Sequence, residues 1–402
     1  FKQKTAYEIS LGLVGSEMCI RDRDVRSDII FILALRGCEI TSLLDSEFDA
    51  IDLILNADKF IMKYRNLSKK PTISLASSIA KATLKFWDSM DDYIISIAHR
   101  VFILASLMHD KSLPLKFIRF YKKALDRVKN INEEFYYASL LFLIRSIGYT
   151  SDLKVIEKAL EEISGYDGVK WYALRKLGEI KVDLLIGNFL GASTKIKELL
   201  EMIEELDLVT NCAFKIEISK IALEMNDLKT AIDTLENLVC EAESPIIKSL
   251  VRDFEVNRNA ILVEAYLRVG DAKRAEKLVE NIEDSVKELD DPFIRTDAKA
   301  DIFAGRARIF LIKGEYEKAL EYADEAIILK ERIGKKDYEY MLIKAEALLK
   351  LGRKDEAKSI LEEVYRDSYN EWTRNHALLN LFIISPDEYE KSLKEMIKRF
   401  SE

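Results

Sequence analysis

Residues Phe310–Ile327 read FLIKGEYEKALEYADEAI, and this stretch decides the fold. An apolar helical period runs up to Gly314, breaks there, and resumes with Ala319 five positions later. Glycine tolerates the left-handed backbone that ends one helix and reverses the chain. Alanine at the first buried position of the next helix leaves room for the two backbones to approach. The same spacing recurs at Gly187/Ala192, Asn226/Ala231, Gly270/Ala275 and Gly352/Ala357, with successive turns 39, 44, 44 and 38 residues apart. The other clear copies are YLRVGDAKRAEKLVENI from Tyr266 and LLKLGRKDEAKSILEEV from Leu348, and a weaker one, GYTSDLKVIEKALEEI, begins at Gly148. A helix pair with one apolar seam cannot bury its second face alone, so such units must stack on one another.

Working outward, apolar residues recur at i, i+3, i+4 and i+7 from Asp24 to the C-terminal segment, with no sustained strand-like alternation. The predicted breaks are Gly37, Lys69–Pro71, Asn130–Asn132, Gly148–Ser151, Gly165–Gly168, Asp207–Asn211, Glu243–Pro245, Asp290–Pro292, Gly334–Lys336 and Ser385–Pro386. Only 14 Gly and 5 Pro occur in 402 residues, too few for an all-β fold rich in tight turns, so an all-α fold is expected. With 49% hydrophobic and 33% charged residues, the chain has the composition of a folded domain rather than a disordered one.

The repeats resemble the tetratricopeptide repeat (TPR) family, best over about residues 178–365. Ala307 and Ala345 occupy the small position of a first helix, Tyr266 and Phe310 the aromatic position before the turn, and Ala326 the later small position of a second helix. The period exceeds the family's length of about 34 residues, and Met341 stands where an early large aromatic is usual. The resemblance implies a right-handed α-solenoid of stacked antiparallel helix pairs. It also implies a concave groove, lined by first helices, that holds a peptide or helix of a partner. Six residues before each turn lie Lys181, Lys220, Glu264, Arg308 and Glu346, with Arg268 one turn beyond Glu264; these are the candidate groove residues. Their signs are mixed, and the carboxylate-gripping clamp of some family members is not reproduced.

Four segments are expected. Residues 1–23 form a non-native segment, 24–150 an irregular helical region, 151–384 the repeat array and 385–402 a C-terminal capping helix. In the first, Lys2–Ile9 and Leu13–Arg23 resemble two parts of a translated sequencing-library adapter, in frame and in order. In the last, Ser385, Pro386, Asp387 and Glu388 carry the residue types of a helix start.

The chemistry is sparse. Gly187–Thr194, GNFLGAST, has two glycines but no Gly-Lys-Ser/Thr, so it reads as a repeat turn rather than a phosphate loop. His99 and His109 lie about 15 Å apart along one helix, too far to share a metal. Cys19, Cys38, Cys212 and Cys240 show no Cys-x-x-Cys pair, so neither a zinc site nor a disulfide framework is expected, and a cytoplasmic setting is. A net charge of −8 with interspersed signs does not supply the basic stripe that nucleic acid requires. No apolar run approaches the ~20 residues of a membrane span. Gln occurs only at Gln3, a depletion that fits a thermophile or an AT-rich genome equally.

The sequence thus predicts a non-enzymatic interaction scaffold without cofactor or metal that binds a protein or peptide. The alternative is the sensor half of a larger NTPase or transcriptional regulator with a further domain upstream.

Overall fold

The computed structural model describes residues 21–36, 38–63, 69–109, 112–150, 152–240, 245–287, 292–333, 336–368 and 371–399. The opening stretch up to Ile20, with Cys19, and the predicted break at Gly37 lie outside these residues, as do Gly334 and Lys335. Among the described residues the chain forms twenty α-helices, one short 3-10 turn and no strand. It divides into two compact units, 1–142 and 143–402.

The first unit holds α1 (Arg21–Leu35), α2 (Glu47–Lys63), α3 (Lys69–Lys85), α4 (Asp92–His109), α5 (Leu113–Lys116) and α6 (Ile118–Ile131). It also holds the first part of α7 (Glu133–Tyr149). The predicted break at Lys69–Pro71 instead opens α3, where the missing proline N–H costs nothing in a first turn. Phe102, Phe120 and Tyr121 are fully buried at the centre, and the Tyr121 hydroxyl donates to the Ser139 carbonyl oxygen at 2.7 Å. His99 lies among Phe120, Tyr121 and Phe135 with no hydrogen-bond partner for either ring nitrogen. Its burial lowers its pKa to about 3, so it is a neutral core side chain.

The second unit begins within α7 and continues with α8 (Leu153–Ile163). Six consecutive helix pairs follow: α9 (Val169–Leu185) with α10 (Phe189–Ile203), α11 (Leu208–Glu224) with α12 (Leu228–Leu235), and α13 (Pro245–Arg268) with α14 (Ala272–Lys287). The last three are α15 (Pro292–Lys313) with α16 (Tyr316–Arg332), α17 (Tyr338–Lys350) with α18 (Lys354–Asp367), and α19 (Glu371–Ile384) with α20 (Pro386–Arg399). Each helix packs on its sequence neighbours, and first helices pack on the first helices before and after them. This is an α-solenoid of antiparallel pairs, tetratricopeptide-like in its turns and its small-residue register.

The turns form as the sequence requires. Gly187, Asn226, Gly270, Gly314 and Gly352 all take positive φ, between 60° and 82°. Each turn closes with the same two bonds. At Gly314 its own N–H donates to the Leu311 carbonyl at 3.2 Å, and the Glu315 N–H donates to Phe310 at 2.9 Å. Asn188, Asp227 and Asp271 then cap the following helix by accepting from the backbone N–H three residues on. Ala192, Ala231, Ala275, Ala319 and Ala357 are all fully buried, as are Ala307, Ala326 and Ala345. At Gly178 a Cβ would meet Leu160 Cδ2 at 2.7 Å, so a larger residue would push that side chain aside where α8 and α9 meet. The C-terminal helix begins at Pro386 as predicted and, among its described residues, has no fully buried side chain.

Two features depart from the sequence reading. Gly148 is helical, within the last turn of α7 rather than in a break; a Cβ there would lie 2.1 Å from Glu217 Oε2 on α11. Cys212 and Cys240, expected to be unpaired, form a disulfide with Cα atoms 6.1 Å apart. The cause is the brevity of α12. It spans eight residues, after which the chain lays Leu238 and Cys240 back against the start of α11. Cys38 is a free, exposed cysteine.

Candidate partner-binding face

On one face the first helices α9, α11, α13, α15, α17 and α19 carry polar contacts across four of their five neighbouring pairs, all but that of α15 with α17. Lys181 Nζ on α9 lies 2.8 Å from Glu224 Oε2 on α11. Arg268 on α13 reaches back to the Leu223 carbonyl of α11 at 2.9 Å and pairs with Glu264 on its own helix at 2.7 Å. Arg308 of α15 pairs with the other Glu264 oxygen. Glu346 of α17 lies 3.2 Å from His376 Nε2 of α19. Of the residues counted back from the turns, Glu264 meets Arg268 on its own helix and Arg308 on the next, while Lys181, Lys220 and Glu346 each meet a residue the count did not name.

They differ in exposure. Lys181 is almost fully buried. Lys220 pairs with the fully buried Glu217 at 2.8 Å and lies 4.8 Å from the Tyr149 ring centroid of α7, so this end of the face is occupied by the chain itself. Glu264, Arg268, Arg308 and Glu346 are half-buried, each still reaching water.

Sequence reasoning missed Glu224, Glu339 and His376. Glu224 is recoverable, since it lies one turn beyond Lys220 on the same helical face, as Arg268 does from Glu264. His376 is not, because α19 ends without a glycine turn from which to count. Glu339, at the start of α17, is exposed, yet other helices crowd it. That crowding and the neighbouring Asp337 carboxylate raise its pKa to about 7 against the pull of Arg308. Because water reaches Glu339, the carboxylate neighbours are the firmer cause of the upward direction. For Glu264, desolvation raises the pKa, but Arg308 and Arg268 outweigh it and the carboxyl stays below its usual range. His376 is held below its ordinary value by desolvation and by Arg308 and Arg268, with Glu346 opposing, so it is neutral at pH 7.

Behind this face, Lys330 of α16 is buried and lies 2.5 Å from Asp297 and 2.7 Å from Asp301 of α15. The Tyr340 hydroxyl of α17 donates to Asp301. Desolvation alone would lower the lysine pKa, but Asp301, Tyr340 and Asp297 outweigh it and hold it well above its usual value. One ammonium thus joins three successive helices.

The face ends in apolar residues. On α19, Thr373, Ala377, Leu378 and Leu381 are buried, whereas Leu379 is 44% and Ile383 73% exposed on the opposite side. At helical spacing both lie beside His376, away from the second-helix layer. On α15, Ile312 lies one turn past Arg308 and is 52% exposed. No three His, Cys, Asp or Glu side chains are arranged to hold a metal among the described residues, and no described helix is long and apolar enough to cross a membrane.

No family model matches the chain, and no curated protein matches it in sequence. Among solved structures, the chain is similar to one described as "Crystal structure of APC/C hetero-tetramer Cut9-Hcn1". The identity is 11%, over 97% of this chain and 99% of that one, with a TM-score of 0.22. That likeness carries no argument; the fold rests on this chain's own turns and packing.

Proposed function

We propose that residues 143–402 act as a protein-interaction scaffold whose first-helix face receives a peptide or helix of a partner. The carrying observation is the exposed apolar pair Leu379 and Ile383 continuing a polar face built from Glu264, Arg268, Arg308, Glu346 and His376. A face of apolar anchors bordered by charges is what helix-in-groove recognition uses. Lys181 and Lys220 belong to this reading as supports that hold α9 and α11 rather than as contact residues. The interspersed signs favour a protein partner over nucleic acid.

A cytoplasmic setting is part of the proposal. In a mesophile the Cys212–Cys240 pair would be reduced there, whereas hyperthermophile cytoplasm keeps such disulfides.

The test is a photo-crosslinking residue placed at Ile383 and, separately, at Glu321 on the exposed surface of α16, in extract of the source cells. Adducts at position 383 but not at 321 are expected. Equal labelling, or none at 383, contradicts the reading.

A further inference from the structure

We propose that the outward face of α6, in the first unit, docks the phosphate backbone of a nucleic-acid duplex without reading its sequence. This concerns residues 1–142 and stands apart from the scaffold reading of 143–402.

Here the sequence departs from the chain's acidic balance. The stretch LPLKFIRFYKKALDRVKNI, Leu113 to Ile131, carries six lysines and arginines against the single acid Asp126, whereas the whole chain has a net charge of −8. The helical period sorts these residues by side. Phe120, Tyr121, Ala124, Leu125 and Val128 are fully buried and hold α6 on the core of the unit. Opposite them, every exposed side chain from Lys116 to Lys129 is charged: Lys116, Arg119, Asp126 and Lys129. Lys122, Lys123 and Arg127 lie half-buried among them.

Only part of this charge is spent within the fold. Lys122 pairs with Asp126 at 3.0 Å, and Arg127 pairs with Asp92 at the start of α4. Lys123 lies 5.2 Å from the Trp87 ring centroid and Lys129 5.8 Å from that of Tyr136, contacts that do not neutralise an ammonium. Among the described residues, Arg119, Lys123 and Lys129 have no carboxylate within ion-pairing distance. Arg119 and Lys129 are ten residues apart, about 15 Å of helix. The sequence turns acidic again only at Glu133 and Glu134.

A cationic row of that length fits a partner with negative charge at regular intervals. One strand of a duplex advances about 3.4 Å per phosphate, so the row spans about four phosphates. The acidic remainder of the chain does not cancel the attraction, because exposed charges beyond about 8 Å are screened at physiological salt. The side chains also decide among polyanions. An acidic protein segment would need apolar anchors, a single strand an aromatic platform for its bases, and a membrane an apolar face to enter it. The aromatic rings of α6 are spent on the core, and Trp87 is 9% exposed beneath Lys123 and Arg127. Backbone phosphates ask only for positive charge.

The test is fluorescence anisotropy of the full chain with two DNA duplexes of unrelated sequence, each about 20 base pairs, between 50 and 200 mM salt. Both should bind equally, and affinity should fall about 40-fold across that range, as three phosphate contacts require. Arg119→Gln/Lys123→Gln should reduce the salt slope by about two and weaken binding more than tenfold at 50 mM. Arg119→Gln alone, at an exposed side chain, should reduce the slope by about one, so the test survives if the double variant unfolds. Arg119→Lys/Lys123→Arg should bind as the parent does. Lys273→Gln/Lys277→Gln, which removes the same charge from the exposed side of α14, should change nothing.

No binding of either duplex at 50 mM, a preference for one sequence, or a slope indifferent to the Gln variants would overturn the proposal. Tighter binding of a single strand, of phosphatidylserine vesicles or of a polyglutamate peptide than of duplex, lost in the same variants, would assign the stripe to that partner and overturn it too.

Discussion

Reduction of the Cys212–Cys240 bond should destabilise the repeat unit by an amount the sequence separation sets. The two residues are 28 apart, and closing a loop of that length removes about 12 cal/mol/K of chain entropy from the unfolded state, or about 3.6 kcal/mol at 25 °C. The bond joins the start of α11 to the segment after α12, where a helix of only eight residues offers little other anchorage. For a unit of this size the loss should lower Tm by about 7–14 °C. The assay is thermal unfolding with and without a phosphine reductant, beside the Cys212→Ser/Cys240→Ser variant, with thiols titrated in denaturant. The oxidised chain should show two thiols, from Cys19 and Cys38, and the reduced chain four. Four thiols in the untreated chain, or a Tm indifferent to both reductant and substitution, would refute the reasoning.

Gly314→Ala should cost about 1–2 kcal/mol in urea unfolding, because its φ of 77° is left-handed while its Cβ would meet no close neighbour. Gly165→Ala, with open space and no positive φ, should be neutral or slightly stabilising by the same assay. Lys330→Met should cost about 2–4 kcal/mol, because it leaves Asp297 and Asp301 facing each other with their shared cation removed. Between pH 5 and 7, two groups on the first helices should act in opposite senses. The depressed His376 binds its proton better unfolded, so its contribution falls as pH drops through the ordinary histidine range. Glu339, raised to about 7, binds its proton better folded, so its contribution is present at low pH and is lost as pH rises through 7. Stability measured across that range should therefore slope more steeply upward with pH in Glu339→Gln than in the parent chain.

The repeat register was legible because it rests on backbone stereochemistry, which is local. A residue that accepts positive φ, followed five positions later by alanine, marks each reversal without knowledge of what packs there. Asn226 was readable for the same reason as the glycines. The register of the first-helix face followed from it, since counting back from a turn places a side chain on a known side of a helix.

Burial was not legible in that way. Lys220 has the register of an open face but lies against Tyr149, because α7 is apolar nearly all round and its sequence gives no sign of which helices it meets. The α7 glycine read as a break for a related reason. Gly148 marks a close approach to Glu217, and a close approach and a turn call for the same residue. The disulfide joins positions separated by a whole reversal, and spacing alone does not reveal how short α12 is. His376 and Glu339 were missed because their roles come from neighbours on other helices rather than from any pattern in their own.

The nesting of paired helices on buried alanines underlies both the array and the face it presents. Urea unfolding of Ala319→Leu, compared with Lys318→Leu one position before it, tests this most directly. Ala319 has no exposed surface and Lys318 is largely solvent-facing, so the first substitution should cost about 1–3 kcal/mol and the second less than about 0.5. Equal effects at the two positions would mean that these helices do not meet where the account places them.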